Sequence, residues 1–245
     1  MRTPAPRRRI RAGFERLPAD FSLPRHQHVE AYATVLLRGA YEQVSYAGRL
    51  RLEVGDVLIQ PTFDCHASTI VSKGLDLIRL PWRHEPGFGG IYRGCDIDTL
   101  HRVAAADAFE ATTLLKAEVA QRTVERPLLD RWADALARAL AAQPTLRVAD
   151  WAEHEGLTRE RTSRGFAAAY GVSPVQFRSE VRARTAWMRI VESGEPLAKI
   201  AADHGFADQA HMCRAVKALT GGSPSQWRRS HLFKTLAGAD TTLLN

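Results

Sequence analysis

The chain has 245 residues, enough for two domains of ordinary size. Hydrophobic residues make up 45%, so a real core can be buried, and the net charge of +7 is carried mostly by arginine, which suits phosphate and guanine contacts better than lysine does. No apolar run is long enough to cross a membrane, Arg7-Arg8-Arg9 is followed by no apolar run of the kind export signals carry, and three scattered cysteines (Cys65, Cys95, Cys213) argue against a disulfide framework or zinc finger and for a reducing cytoplasm.

Residues 1–17 are Pro- and Arg-rich and read as a basic arm, either solvated or touching DNA or the rest of the chain. From 18 to 84 the pattern becomes strand-like. Tyr32 to Leu37, Tyr41 to Tyr46, Arg49 to Val54, Val57 to Ile59, Ala67 to Val71 and Leu75 to Leu80 are short β candidates. They are separated by Gly39, Gly48, Gly55-Asp56, Pro61 and Gly74, which predicts a sandwich or barrel. His26, His28 and Glu30 alternate, so a strand would place them on one face. Together with His66 they have two readings. The three histidines could hold a divalent metal, or they could hydrogen-bond an effector or one another. Phe63 is expected near the barrel mouth, as an apolar wall suited to a small organic ligand.

Residues 85–143 hold a Gly/Pro-rich loop and then helical patterns near 98–106, 108–123 and 127–142. The middle helix has an apolar edge of Ala111, Leu115 and Val119, with Leu114 beside them. That edge packs on its own barrel or makes a homodimer contact.

Residues 144–235 contain an internal repeat. Gly156, Arg164 and Ser173-Pro174-Val-Gln-Phe177-Arg178 recur as Gly205, Arg214 and Ser223-Pro224-Ser-Gln-Trp227-Arg228, at an offset of about 49–50 residues. Each copy reads as helix, Gly-containing turn, helix. The stretch from Ser173 to about Ser193 reads as one helix between the copies. It has apolar residues on opposite sides, Phe177, Val181 and Met188 against Ala183, Ala186 and Ile190. Residues 236–245 show no strong pattern.

The second helix of each copy would lie in the major groove. Turning Thr162, Phe166 and Tyr170 to the core leaves Glu160, Ser163 and Arg164 facing outward, with Arg159 at the helix start. In the second copy Met212, Val216 and Leu219 face the core, which leaves Asp208, Gln209, His211 and Arg214. Arg178 and Arg228 suit phosphate contact or helix packing equally. Gly165 inside the first recognition helix costs about 1 kcal/mol against Ala and would make that helix the looser reader.

Two resemblances follow from these residues. His26-Gln-His28, Glu30, Gly39 and Gly55 through His66 resemble the two motifs of the cupin family of small β-barrels. The family has Gly where Phe63 stands and Asn where Ile70 stands, and its acidic residue lies further from the histidines than Glu30. The repeat, above all Ile200 through Lys217 followed by Gly222-Ser-Pro224, resembles the AraC-type family of bacterial transcription regulators. The resemblance implies an α+β two-domain chain, with an N-terminal cupin-like β-barrel and flanking helices and a C-terminal all-α double helix-turn-helix. It implies a cytoplasmic, non-enzymatic, sequence-specific regulator. Its partners would be double-stranded DNA, a small-molecule effector at His26, His28, Glu30, Phe63 and His66, RNA polymerase and a second copy of the chain. A divalent metal on His26, His28 and His66 is the one cofactor implied. The competing classes are a metal-dependent cupin enzyme with an appended helical domain and a ligand-independent DNA-binding protein.

Overall fold

The computed structural model describes residues 5–8, 10–82, 89–124, 131–143 and 145–230. The expected tail at 236–245, the start of the arm, most of the Gly/Pro-rich loop and the start of the third expected helix lie outside the described residues.

Among the described residues, ten strands form two five-stranded sheets. The first has the order β1 (Arg7–Arg8), β3 (Ser22–His28), β8 (His66–Ile70), β5 (Tyr41–Ser45), β6 (Gly48–Leu52). The second has the order β10 (Gly90–Tyr92), β7 (Val57–Gln60), β4 (Tyr32–Arg38), β9 (Leu75–Pro81), β2 (Gly13–Leu17). Leu50, Leu52 and Tyr41 of the first sheet meet Leu36, Leu58, Leu75, Leu77 and Ile91 of the second in one buried cluster, so the sheets close face to face as a flattened barrel. The barrel is longer than the 18–84 expected. Gly13–Leu17 pairs antiparallel with β9, Arg7–Arg8 pairs parallel with β3, and Gly90–Tyr92 pairs with β7. Arg7–Arg8 is wholly exposed and Gly13–Leu17 alternates half-buried with exposed residues, so neither shows the apolar pattern of a core strand.

Helices α1 (Ile97–Ala106) and α2 (Ala108–Ala120) cover the outer face of the second sheet. Leu115, expected on either an intramolecular or an intermolecular edge, is fully buried there with Ala111, against Val35, Ile59, Ile78 and Leu80. Phe109 and Leu114 are the apolar side chains that α2 leaves outward, with Phe109 74% exposed.

The C-terminal half contains α3 (Trp132–Ala142), α4 (Val148–His154), α5 (Arg159–Tyr170), α6 (Pro174–Glu192), α7 (Leu197–Asp203) and α8 (Gln209–Thr220). The repeat is visible in the caps. Thr158 and Asp208 cap the starts of α5 and α8 through side-chain oxygens, and Gly171 and Gly221 end them in the left-handed conformation. Ser173 caps α6, with Pro174 at its first position.

The two halves are joined by a continuous core. Val44, Tyr46, Phe63 and Cys65 of the barrel lie in the same buried cluster as Phe166, Phe177, Trp187 and Met212 of the helices. Helix α6 therefore has a third buried face that its two apolar stripes did not announce: Arg184 and Trp187 turn toward the barrel. The Arg184 Nε–H donates to the Thr62 carbonyl at 3.0 Å, and the Arg25 guanidinium pairs with Glu180 at 2.6 Å. Beside them, the Tyr170 hydroxyl donates to buried Asp134 at 2.7 Å, with Arg49 of β6 3.5 Å from the same carboxylate. Partners of this kind are what keep charge tolerable in a buried seam.

Candidate functional site

The first site is the outer face of the repeat. Arg159, Glu160, Ser163 and Arg164 on α5 are exposed, as are Gln209, His211 and Arg214 on α8. Their exposure follows from the helical period, which turns Thr162, Phe166 and Tyr170, and Met212, Val216 and Leu219, to the core. The linking helix α6 has 19 residues, about 28 Å at 1.5 Å per residue. That approaches the ~34 Å between successive major-groove faces.

Three candidates have other duties. The Asp208 carboxylate accepts from the His211 N–H at 2.6 Å, so it caps α8. Arg178 donates to the Leu146 carbonyl at 2.6 Å. Arg228 donates to the carbonyls of Ile190 and Glu195, at 3.3 and 2.8 Å, and so closes the C-terminal end of α6. Of the two roles open to Arg178 and Arg228, the geometry displays helix packing. Gly165 also has a positive reason. A Cβ there would stand 2.5 Å from Trp132 Cζ2, so the glycine is required by the close approach of α3 and does not mark a loose helix.

The second site is the histidine centre inside the barrel. His26 and His66 are register partners on β3 and β8, and His28 follows two residues on, so all three rings share one face. All are buried, and one ring nitrogen of each lies within 4.8 Å of the others. Their Nδ1 atoms face backbone carbonyls: His26 that of Pro24 at 2.9 Å, His28 that of Arg8 at 2.9 Å, His66 that of Asp64 at 3.0 Å. A carbonyl can only accept, so each Nδ1 carries the proton and each Nε2 presents a lone pair. The His26 and His28 Nε2 atoms are 3.1 Å apart, and the Tyr32 hydroxyl lies 3.3 Å from His66 Nε2. Burial is the largest influence on all three rings and depresses their basicity. It brings His28 down to about 4, so the rings are neutral near pH 7. This donor set fits a divalent metal of the kind imidazole favours. Tyr32 belongs to the centre and was not singled out from sequence. Its position two residues after Glu30, on the next strand, was the available signal.

Two expected members are elsewhere. Glu30 lies in the bend after β3 and is exposed, because the strand ends at His28. Phe63 does not wall the barrel mouth. It is fully buried with a φ of 56°, and this left-handed turn sends its ring out of the barrel onto Trp187 and Trp227, with centroids 4.9 and 5.5 Å away. On the solvent side, His26 and His28 open onto a cleft of about 320 Å³ lined also by Arg8, Arg11, Phe14 and Arg79.

Fold and sites together define a two-domain protein, a sheet-rich N-terminal domain with a buried polar centre joined to two helix-turn-helix units. Residues 151–230 match a family model described as a helix-turn-helix domain. The chain is 25% identical over 152 residues to the arabinose operon regulatory protein of Escherichia coli, covering 59% of this chain and 52% of that one. It is 32% identical over 81 residues to the protein of the same description from Salmonella typhimurium, covering 33% and 29%. The chain thus spans about half the length, or less, of these curated relatives. Among solved structures, fatty-acid-bound ToxT of Vibrio cholerae aligns over 89% of this chain and 94% of its own, at 11% identity and a TM-score of 0.38. The family match therefore lies in the C-terminal helical region, and both curated relatives named here are described as regulatory proteins. No described helix is long and apolar enough to cross a membrane.

Proposed function

We propose that this protein is a sequence-specific, DNA-binding transcription regulator of the cytoplasm, controlled by a small-molecule effector at the histidine centre of the barrel. Residues Arg159, Glu160, Ser163, Arg164, Gln209, His211 and Arg214 are the reading set, while Asp208 caps α8, Arg178 ties α6 to the Leu146 carbonyl and Arg228 closes the end of α6. One observation carries the effector part. The turn from Thr62 to His66 serves both sites at once: its Asp64 carbonyl orients His66, its Phe63 N–H donates to the His28 carbonyl at 2.9 Å, and its Thr62 carbonyl and Phe63 ring hold α6. A ligand that shifts His66 therefore acts on the helix that spaces the two reading helices.

Random-site selection with the full chain, followed by footprinting with and without candidate effectors, tests the reading. A recovered motif whose occupancy changes with one effector supports it. Absence of any sequence preference would overturn it, and a motif indifferent to every effector would favour a ligand-independent DNA-binding protein. The expected partners are duplex DNA, the effector, RNA polymerase and a second copy of the chain. For the last, outward-facing Phe109 and Leu114 replace Leu115 as the contact. Phe109→Glu should lower the sedimentation coefficient without unfolding the chain, and a wild type that is already monomeric at micromolar concentration removes the dimer.

A further inference from the structure

We propose that Arg182, which lies outside the reading set, is a positioning residue for sequence reading: it grips the turn of the second helix-turn-helix unit and, through the Phe206 ring, aims the imidazole of His211 at one base pair. The proposal rests on the reading of α8 as a DNA-reading helix and adds the residue that orients one of its contacts.

The contacts run in series from α6 to the reading face. Arg182 is half-buried, and its Nε–H donates to the His204 carbonyl at 2.9 Å. Its guanidinium carbon lies over the Phe206 ring, 4.6 Å from the centroid, at cation–π distance. The buried Phe206 ring meets the exposed His211 imidazole with centroids 5.3 Å apart and planes at 88°. The backbone is held at the same places. His204 Nδ1 faces the Ile200 carbonyl at 2.9 Å, and Asp208 accepts from the His211 N–H at 2.6 Å. Between them Gly205 turns at a φ of 68°, where a Cβ would stand 2.9 Å from Thr145 Cγ2 and 3.4 Å from the Arg182 guanidinium.

Folding of the unit does not call for this stack. The repeat puts Leu157 where Phe206 stands, and the first copy turns at Gly156, where a Cβ would meet nothing within 4 Å. Both copies form the same pair of helices, so the ring, the guanidinium and the imidazole are additions of the second. The charge is also kept there at a cost, because burial, and next Arg178, lower the basicity of Arg182. What the stack reaches is a side chain of the reading face. A side chain free to change rotamer loses that freedom when it binds, whereas one already held against a ring does not.

The test measures binding of the full chain to the duplex recovered by random-site selection and to a panel in which each base pair is changed in turn. His211→Ala identifies the pair this side chain reads, by a loss of discrimination of roughly 10-fold there. Arg182→Met and Phe206→Leu should each relax preference at that same pair, with affinity for unrelated duplex as in the wild type. Arg182→Met combined with His211→Ala should lose no more than His211→Ala alone. Variants that weaken every sequence evenly, or that relax a different pair, overturn the proposal and leave the DNA-binding reading intact. A wild type without sequence preference removes that reading and the proposal with it. Phe206→Leu installs the residue of the first copy and serves if Arg182→Met fails to fold. Proton spectra of the free chain give a readout that needs no DNA. The His211 ring signals, assigned by their loss in His211→Ala, should be displaced by the Phe206 ring current and return toward ordinary histidine positions in Arg182→Met and Phe206→Leu. Signals at ordinary positions in the wild type, or unmoved in both variants, overturn the proposal.

Discussion

The ring of Phe63 meets the indole of Trp187 edge-on, with centroids 4.9 Å apart and planes at 87°. Through this contact the turn that leads into His66 is packed against α6, the helix that lies in sequence between α5 and α8. Phe63 holds a backbone conformation natural to glycine, at a cost of about 1–2 kcal/mol for an L-residue. The aromatic contact with Trp187 and Trp227 offsets that strain.

Phe63→Ala and Phe63→Gly should therefore rank against expectation. Alanine loses the buried ring, at about 3–5 kcal/mol, and keeps the strained φ. Glycine loses the same ring and relieves the strain, so it should be the milder change by about 1 kcal/mol. Chemical denaturation of both variants measures the order, and a glycine variant less stable than the alanine variant contradicts the account.

Arg214 and Arg228 occupy different environments and should fail differently. Exposed Arg214→Ala should cost about 1–3 kcal/mol of binding and relax preference at one base pair. Arg228 closes the end of α6 on the Ile190 and Glu195 carbonyls. Arg228→Ala should lower the thermal midpoint while the slope of log affinity against log salt stays as in the wild type. A slope shallower by about one unit would instead identify Arg228 as a phosphate contact.

Gly165→Ala should destabilise, although alanine gains about 1 kcal/mol over glycine in an open helix. The new methyl would meet the Trp132 ring at 2.5 Å. In a Trp132→Ala background the same change should stabilise, so a double-mutant cycle over these two positions should show strong coupling. Additive effects would mean that the ring yields without cost.

Arg16 and then Arg38 hydrogen-bond Asp76 and hold its carboxyl far below the usual carboxylate range. A group depressed on folding contributes stability that is present above its unfolded value of about 3.9 and lost as pH falls below it. Asp76→Asn should thus be destabilising at pH 7, with a gap from wild type that narrows as pH drops through 4 toward strongly acid conditions. Denaturation midpoints across that range test the sign; a gap that widens in acid refutes it.

Local chemistry carried much of this architecture in plain view. The 49–50-residue repeat, the Ser-Pro starts and the glycine ends specify two copies of one unit. Each of these is a short-range signal, a cap or a turn that works within a few residues of itself. Alternation placed His26 and His28 on one strand face for the same reason. The edge strands Arg7–Arg8 and Gly13–Leu17 were hidden because an edge strand with one solvated face reads like a polar arm. What lies between the halves needed the tertiary structure. Arg184 and Glu180 look like solvated helix residues until a second domain takes the water away, and Phe63 looks like a pocket wall until its φ turns it outward. Glu30 follows two histidines in step, yet the strand stops before it. Which neighbour a side chain meets across 120 residues depends on where the backbone bends and ends, and no local period encodes that.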